Sequence, residues 1–217
     1  MELYKATDLE VRVNSRYSLK NLNFSISDKE ITIIYSRGEE SKKLLETLSY
    51  LNKPVSGSLF YGSEDLSTFN RSNLEEWRIK DVQYIALEDQ LFDELSVREN
   101  IYLPITLNRL EENSEYMERL IEDLDLTDII DELTVNISSI DYMKVKIARS
   151  LSLAPFVLLI SDIDKGFNKA ETTYLFDLIS HINNIYKTTI VISVCDEKMI
   201  GLGSKTIIIN DGTISNV

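Results

Sequence analysis

The segment from Ile31 to Leu51, ITIIYSRGEESKKLLETLSYL, constrains the fold more than any other part of the chain. Ile31–Tyr35 is short, β-branched and apolar, which is typical of a central strand buried on both faces. Ser41–Leu51 follows with apolar residues at helical spacing, and the turn Lys53-Pro54-Val55-Ser56-Gly57 ends it. A buried strand, a tight loop and an amphipathic helix in this order predict an α/β fold.

The loop between this strand and helix has the outline of a phosphate-binding loop but lacks most of its chemistry. The pattern GxxxxGK[ST] needs small residues whose amides wrap phosphate oxygens, a lysine for the terminal phosphates and a hydroxyl for magnesium. The chain has Ser36-Arg37-Gly38-Glu39-Glu40-Ser41-Lys42-Lys43, with one glycine and two carboxylates. A carboxylate about 4 Å from a phosphate charge costs about 4 kcal/mol at an effective dielectric of ~20. Residual anion binding at Gly38, Ser41, Lys42 and Lys43 is therefore expected to be weak.

Composition excludes several classes of function. The 217 residues, 43% of them hydrophobic, suffice for one large domain or a core with a subdomain. The net charge of −13 argues against binding to nucleic acid or to anionic lipid. No run of about 18 apolar residues is present, so we expect no direct membrane insertion. The single cysteine, Cys195, is typical of a reducing compartment, and we expect a cytoplasmic protein.

Strands alternate with helices along most of the chain, which indicates a mainly parallel sheet with antiparallel strands at the start. A strand at Leu19–Ile26 precedes the loop, and the middle of the chain is helical and acidic. The remaining predicted strands are Ser58–Tyr61, Val82–Ala86, Phe156–Ile160, Thr189–Val194 and Lys205–Asn210. The remaining predicted helices begin after caps at Asn73, Ser96, Asn113 or Ser114, and Thr127, or span Asp141–Leu153 and Lys169–Ile185.

Five phrases in this order resemble the ATP-binding subunits of ABC transporters, most of all the lipoprotein-release and macrolide-export group. The resemblance runs from residue 3 to the end of the chain and implies a P-loop NTPase-like ABC ATPase fold. Its core covers about 1–86 and 155–217, and a helical subdomain covers about 87–154, in one domain over 1–217. The phrases are Leu19–Ile26, Lys53-Pro54…Ser56-Gly57, Glu94–Asn100…Leu103-Pro104, Ile147–Leu151…Pro155 and Ile209–Ile214.

The resemblance also implies where the nucleotide chemistry would lie in this sequence. Counting from Leu19 puts the loop lysine on Lys42, whereas counting back from Lys53-Pro54 puts it on Ser41, and both registers stay open. The other nucleotide-site residues of the family fall on the following positions of this chain. The glutamine that reports on magnesium falls on Leu87, the LSGGQ signature on Ile137–Asp141, the magnesium aspartate on Ser161, the catalytic glutamate on Asp162, the next aspartate on Asn168, the histidine on Cys195, and the adenine-stacking aromatic near Glu10 or Val11.

These replacements predict a degenerate subunit with no catalytic residue, no metal site and no required cofactor. Asp162 is one methylene shorter than the glutamate it replaces, and Cys195 is expected to be a small buried residue rather than a nucleophile. Asp162 and Asp164 are either a metal or base pair at a strand end or solvated loop carboxylates, and we favour the second interpretation. The alternative function is an ATPase subunit that binds ATP with magnesium and hydrolyses it slowly, or only with a partner.

The expected partners are a membrane permease, another ABC ATPase subunit, or both. In the family, the segment near Leu87–Leu103 and the helical subdomain form the cleft that receives the permease. The resemblance therefore implies peripheral attachment at the inner face of the cell membrane. The apolar residues predicted to contact the partner are Leu87, Leu91, Phe92 and Leu95.

Overall fold

The computed structural model describes residues 1–216, and this range contains ten β-strands and six α-helices. The strands are β1 (Glu2–Arg12), β2 (Ser18–Ser27), β3 (Ile31–Tyr35), β4 (Ser56–Tyr61), β5 (Glu64–Asp65), β6 (Val82–Ile85), β7 (Val157–Ile160), β8 (Thr189–Val194), β9 (Lys205–Asn210) and β10 (Thr213–Asn216). The helices are α1 (Glu40–Leu48), α2 (Arg71–Lys80), α3 (Val97–Asn108), α4 (Ser114–Asp123), α5 (Ser139–Leu151) and α6 (Lys169–Tyr186).

Six strands form the larger sheet in the order β10-β9-β3-β8-β7-β6, and only β10 runs antiparallel to its neighbour. Every residue of β3, β7 and β8 is buried, as continuous apolar strands in a doubly covered sheet must be. The prediction of a mainly parallel sheet is confirmed. Because β3, β8 and β7 are parallel neighbours, their carboxyl ends meet at one edge of the sheet, where ligands bind in such folds.

A second, antiparallel sheet has the order β2-β1-β4-β5, which confirms the antiparallel part at the start of the chain. Its buried face is closed by aromatic side chains. The ring of Tyr61 packs edge-on against Tyr4 and Trp77, with centroids 5.3 Å apart in each pair. Such pairs add about 0.5–1.5 kcal/mol each beyond their buried area, so they fix α2 against this sheet.

Helices α3, α4 and α5 share one buried cluster with the larger sheet. Ile101 from α3 and Leu120 from α4 belong to the same apolar cluster as Ile160 at the end of β7 and Ile192 within β8. Movement between the helical part and the sheet would therefore expose apolar surface. The boundaries of 1–86 and 155–217 for the core, and 87–154 for the helical subdomain, stay predictions.

Two predicted helix starts are wrong, and those at Ser96, Asn113 and Lys169 are confirmed. Helix α2 begins earlier than expected, because the side chain of Asn70, not Asn73, caps it by accepting from the Asn73 amide at 2.9 Å. The expected helix at Thr127 is only a single 3₁₀ turn, because the amides there bond three residues back. At α3 the predicted cap at Ser96 is present, and it forms a capping box in which Ser96 and Glu99 bond to each other's backbone amides.

Candidate functional site

The loop after β3 closes on its own side chains. The hydroxyl of Ser36 is buried, donates to the Gly38 carbonyl at 3.1 Å and accepts from the Ser41 amide at 2.9 Å. Amides at the start of a helix are the groups that a phosphate-binding loop offers to its ligand. Here one of them is already occupied by a side chain of the loop itself.

A carboxylate lies over the one glycine of this loop. A Cβ atom at Gly38 would come within 2.5 Å of Glu40 Oε2, so the Glu40 carboxylate occupies the space directly above this glycine. That oxygen is buried and has no hydrogen-bond partner among residues 1–216. The adjacent carboxylate of Glu39 is exposed instead. Glu40, and not Glu39, is therefore the negative charge that an incoming anion would meet inside the loop.

The two lysines of the loop are paired with carboxylates. The Lys42 ammonium forms an ion pair with Glu88, just beyond β6, and this hydrogen bond raises the pKa of Lys42 and lowers the pKa of Glu88. Lys43 pairs with Glu46 of the same helix, at 2.7 Å between Nζ and Oε2. Of the two registers, the structure therefore directs Lys42 toward the site, while Ser41 is buried against Ser36.

The end of β7 carries a second closed arrangement. Asp162 is only 3% exposed, has a left-handed backbone with φ of 56°, and its Oδ1 lies 3.1 Å from the Lys165 ammonium. The Cys195 sulfur lies 3.9 Å from the same oxygen and 3.7 Å from the Gly38 carbonyl. The neighbouring Ser161 is buried, and its hydroxyl has no partner among residues 1–216. The residues at the expected aspartate, glutamate and histidine positions therefore lie together. The Asp162 carboxylate, however, already contacts the Lys165 ammonium and the Cys195 thiol.

Asp164 holds the loop that follows β8. Its Oδ2 accepts from the amides of Cys195 at 2.8 Å and Asp196 at 2.6 Å. Burial raises the pKa of Cys195, and the carboxylates of Asp164 and Asp162 raise it further. Cys195 is therefore a thiol rather than a thiolate near neutral pH, which agrees with the expectation that it is not a nucleophile. It is only partly buried, however, because it lies at the open end of β8.

The remaining expected motif positions cap helices. Ser138 caps α5 by accepting from the Asp141 amide at 3.1 Å, and its hydroxyl donates to the Asp141 carboxylate at 2.7 Å. Asn168 caps α6 by accepting from the amides of Ala170 at 2.9 Å and Glu171 at 3.1 Å. Both side chains therefore serve as helix caps and already bond to amides at the helix starts.

The four residues predicted to contact a partner differ in exposure. Leu87 is 38% exposed and Phe92 is 52% exposed, whereas Leu91 is 4% exposed and packs in the core. Leu95 is partly buried. Only Leu87 and Phe92 therefore present a large apolar surface, and Leu91 anchors the segment between them.

Asn100 holds this segment in place, a role that the sequence interpretation missed. Its amide is fully buried, accepts from the Phe92 amide at 2.9 Å and donates to the carbonyls of Phe92 at 3.0 Å and Leu95 at 3.3 Å. A polar residue between Val97 and Ile101 on the apolar face of a helix was the available signal. Such a residue is expected to bond to backbone when it is buried.

A groove of about 520 Å³ opens beside this segment. Its walls come from the loops that follow β6 and β7 and from the start of α5. The lining is mostly apolar, with two ammonium groups at its inner side. The lining includes Leu87, Val135, Met143, Phe167, Lys146 and Lys165.

The residues present do not fit a nucleotide with magnesium. Ser161 offers a hydroxyl where a metal-binding carboxylate is needed, and the Asp162 carboxylate already holds an ammonium. At the expected adenine position, Val11 is buried and Glu10 bonds to Ser56, so neither offers an aromatic face. Within residues 1–216 no group of three or more acidic, histidine or cysteine side chains could hold a metal ion. None of the helices in this range is both long and apolar enough to cross a membrane.

A family comparison covers most of the chain. The model of the family described as ABC transporter matches residues 19–162. A methionine import ATP-binding protein MetN from Francisella tularensis subsp. holarctica (strain OSU18) is 32% identical over 84% of this chain. The match covers 53% of that relative, so the chain spans about half the length of the MetN proteins it resembles. A lipoprotein-releasing system ATP-binding protein LolD 1 from Chlorobium chlorochromatii (strain CaD3) is 27% identical, over 96% of this chain and 87% of its own.

Solved structures show the same fold. The structure of cbiO1 from Clostridium perfringens, part of the ABC transporter complex cbiONQ, superimposes with a TM-score of 0.88 at 18% identity. That match covers 99% of this chain and 87% of the other. The ATP-binding cassette MJ0796, solved as a dimer bound to ADP and Pi, superimposes with a TM-score of 0.81 at 19% identity, over 99% and 97% of the two chains.

Proposed function

Because the chain belongs to the ABC transporter family, we propose that it is a degenerate, pseudo-ATPase form of the ATP-binding subunit. Its role is that of a structural or regulatory partner of a membrane permease or of another ABC subunit. The fold supports this role, since it matches a solved ATP-binding cassette over 99% of this chain and 97% of the other. Transport by such a complex would then depend on ATP hydrolysis by another subunit, or would proceed without ATP hydrolysis.

One observation carries this proposal: both halves of the expected site are filled by the chain's own charges. Glu40 lies over Gly38 where a phosphate would be held, and Lys165 pairs with Asp162 where magnesium would lie. Phosphoryl transfer depends on positioning and on electrostatic stabilisation of the phosphates. The Glu40 carboxylate in the loop repels the phosphates, and the Lys165 ammonium neutralises the Asp162 carboxylate. Both contacts therefore oppose the positioning and the stabilisation that the reaction needs.

The partner surface supports the same role. Leu87 and Phe92 keep exposed apolar surface beside the groove, whereas Asn100 and Leu91 fix their backbone. We propose that an apolar helix of a membrane permease docks there and holds the subunit at the inner face of the membrane. Co-purification from membranes tests this docking, and the absence of any permease or ABC subunit from the purified material would contradict it.

Titration with ATP and magnesium, followed by thermal unfolding, tests the loss of nucleotide binding. A ligand at 100 times its Kd stabilises a protein by about 2.7 kcal/mol. For a domain of this size that raises Tm by about 5–10 °C. We expect no such shift at millimolar ATP. A shift that disappears in Lys42→Ala would overturn the proposal.

The pairing of Lys42 favours a second candidate function, an ATP-binding subunit that works only with a partner. Lys42 lies close enough to Asp162 for that carboxylate to raise its pKa, although Glu88 contributes more. An ammonium near the end of β7 is what residual nucleotide binding would use. This function requires ATP binding that appears only when the partner subunit is added, and the same titration on the purified complex measures it.

A further inference from the structure

Lys146 is a buried lysine whose ammonium holds the backbone of another segment. It lies in the middle of α5 and is 3% exposed. Its Nζ donates to the carbonyl of Ala86 at 2.7 Å and to the carbonyl of Leu87 at 3.1 Å. These carbonyls follow β6, at the start of the segment 86–91 that leads to the exposed Phe92. One side chain therefore joins α5 to the end of a strand about 60 residues earlier.

Two more side chains of α5 bond to the same segment. Tyr142 Oη accepts from the Leu91 amide at 2.6 Å, and Arg149 donates to the Gln90 carbonyl at 3.2 Å. Residues 142, 146 and 149 are spaced by four and three, which puts them on one face of a helix. This face of α5 therefore contacts the segment at its first two residues and at its last two.

The segment supplies the charge that a buried ammonium needs. Burial lowers the pKa of Lys146, whereas the carboxylates of Asp89 and Glu88 raise it, and the neighbouring Arg149 lowers it further. Asp89 Oδ2 also accepts from the Ala86 amide at 2.7 Å, which closes the segment into a turn. A buried charge without a partner is costly, so Lys146 stabilises the segment only in the conformation that brings both carbonyls to it.

We propose that α5 clamps the segment 86–91 in one conformation whether or not a nucleotide is present, with Lys146 as the central positioning residue. The exposed side chains of Leu87 and Phe92 are then presented to a partner in a preformed arrangement. The clamp does not depend on the loss of ATPase activity. It concerns the geometry of the segment, which can be measured on the isolated chain.

Amide hydrogen exchange on the full-length chain tests the clamp. The amides of Ala86, Asp89, Leu91 and Phe92 all have acceptors in this arrangement, so we expect them to be protected in the wild type. Lys146→Met keeps the length and apolar volume of the side chain but removes both hydrogen bonds. We expect these amides to exchange at least about tenfold faster in this variant, because hydrogen bonds from a charged donor are among the stronger ones.

Lys144→Met is the matched control. Lys144 lies on the same helix, is also 3% exposed, and its ammonium also has two partners, the Asp125 carbonyl at 2.8 Å and the Asp141 carboxylate at 2.9 Å. None of its bonds reaches the segment 86–91. The clamp is refuted if Lys144→Met speeds exchange in that segment as much as Lys146→Met does, or if the segment exchanges in the wild type as fast as the exposed loop 110–113.

Tyr142→Phe keeps the test decisive if Lys146→Met fails to fold. This variant removes only the acceptor for the Leu91 amide, so faster exchange is expected at Leu91 and not at Ala86. Adding ATP with magnesium is expected to leave exchange at 86–91 unchanged, and a change of about tenfold or more would overturn the clamp. If ATP binds without altering this segment, the pseudo-ATPase proposal fails and the clamp stands.

Discussion

Replacing Glu40 with alanine is expected to restore part of the affinity of the loop for ATP. Glu40 is the residue whose carboxylate lies over Gly38, with Oε2 buried and without a hydrogen-bond partner among residues 1–216. Its removal takes a negative charge out of the space that a phosphate group would enter. The loop glycine and the Lys42 ammonium remain unchanged in the variant.

Coulomb's law gives the size of this effect. A phosphate charge about 4 Å from the carboxylate is repelled by about 1 kcal/mol in water and by about 4 kcal/mol at an effective dielectric of ~20. These limits correspond to a factor of about 5 and about 1,000 in Kd. The loop is near the surface, so we expect a value toward the lower limit, about tenfold. The gain should shrink as salt rises, because the Debye length falls from about 10 Å at 0.1 M to about 3 Å at 1 M.

Equilibrium binding of ATP, measured by calorimetry at low and high salt, is the assay. Glu39→Ala is the control, since it removes the same charge from the adjacent but exposed side chain. Urea unfolding of both variants checks that the fold is kept. If Glu39→Ala and Glu40→Ala raise the affinity equally, the general charge of the loop matters and the position of the Glu40 carboxylate does not. If neither changes it, the site is closed by something other than this carboxylate.

Two predictions concern stability. Asp81 ends α2 near Tyr61, and burial raises the pKa of Asp81 above the ordinary value of 3.8. The folded state therefore favours the protonated carboxylic acid over the charged carboxylate. The stability contributed by the protonated acid is present below pH 3.8 and is lost as the pH rises through the higher folded pKa. Asp81→Asn should therefore stabilise the protein at pH 7 by up to about 1 kcal/mol. Urea unfolding should show this difference at pH 7 and no difference in acid. Lys165→Met leaves the Asp162 carboxylate buried without its cation, and since Lys165 is 42% exposed we expect a loss of about 1–3 kcal/mol by the same method. Adding Asp162→Asn should recover most of this loss, and a double variant no more stable than Lys165→Met alone would contradict the ion pair.

The sequence predicted the fold well where a local pattern determines the structure. Buried strands such as Ile31–Tyr35 are continuous apolar runs, and the Ser96–Glu99 capping box needs only residues three positions apart. The start of α2 was misplaced because Asn70 and Asn73 are equally good caps in sequence, and tertiary packing selects between them. The long strand β1 was not predicted individually, because its pairing with β2 and β4 is decided across the sheet.

The candidate site was predictable as a set of replaced residues but not as an arrangement. The sequence shows two glutamates in the loop, yet only the structure shows that Glu40 folds over Gly38 while Glu39 is exposed. Lys165 matched no expected motif position, so its pairing with Asp162 could not be foreseen. The role of Lys146 could not be predicted either, because a lysine on a helix that also carries Lys144 and Arg149 is expected to be solvated until its acceptors, some 60 residues away, are known.

Two side chains of this site, Ser36 and Lys165, take the place of ligand groups. In a phosphate-binding loop, amides at the helix start and the carboxylate at the strand end are satisfied by phosphate and metal. In this chain, Ser36 accepts from one such amide and Lys165 neutralises the carboxylate. The remaining carboxylate, Glu40, has one buried oxygen without a partner among residues 1–216, and the negative charge of a nucleotide would repel it rather than compensate it. If the proposed pseudo-ATPase role is right, ATP hydrolysis by this chain should require removal of Lys165 and Glu40 together with a metal-binding carboxylate at position 161.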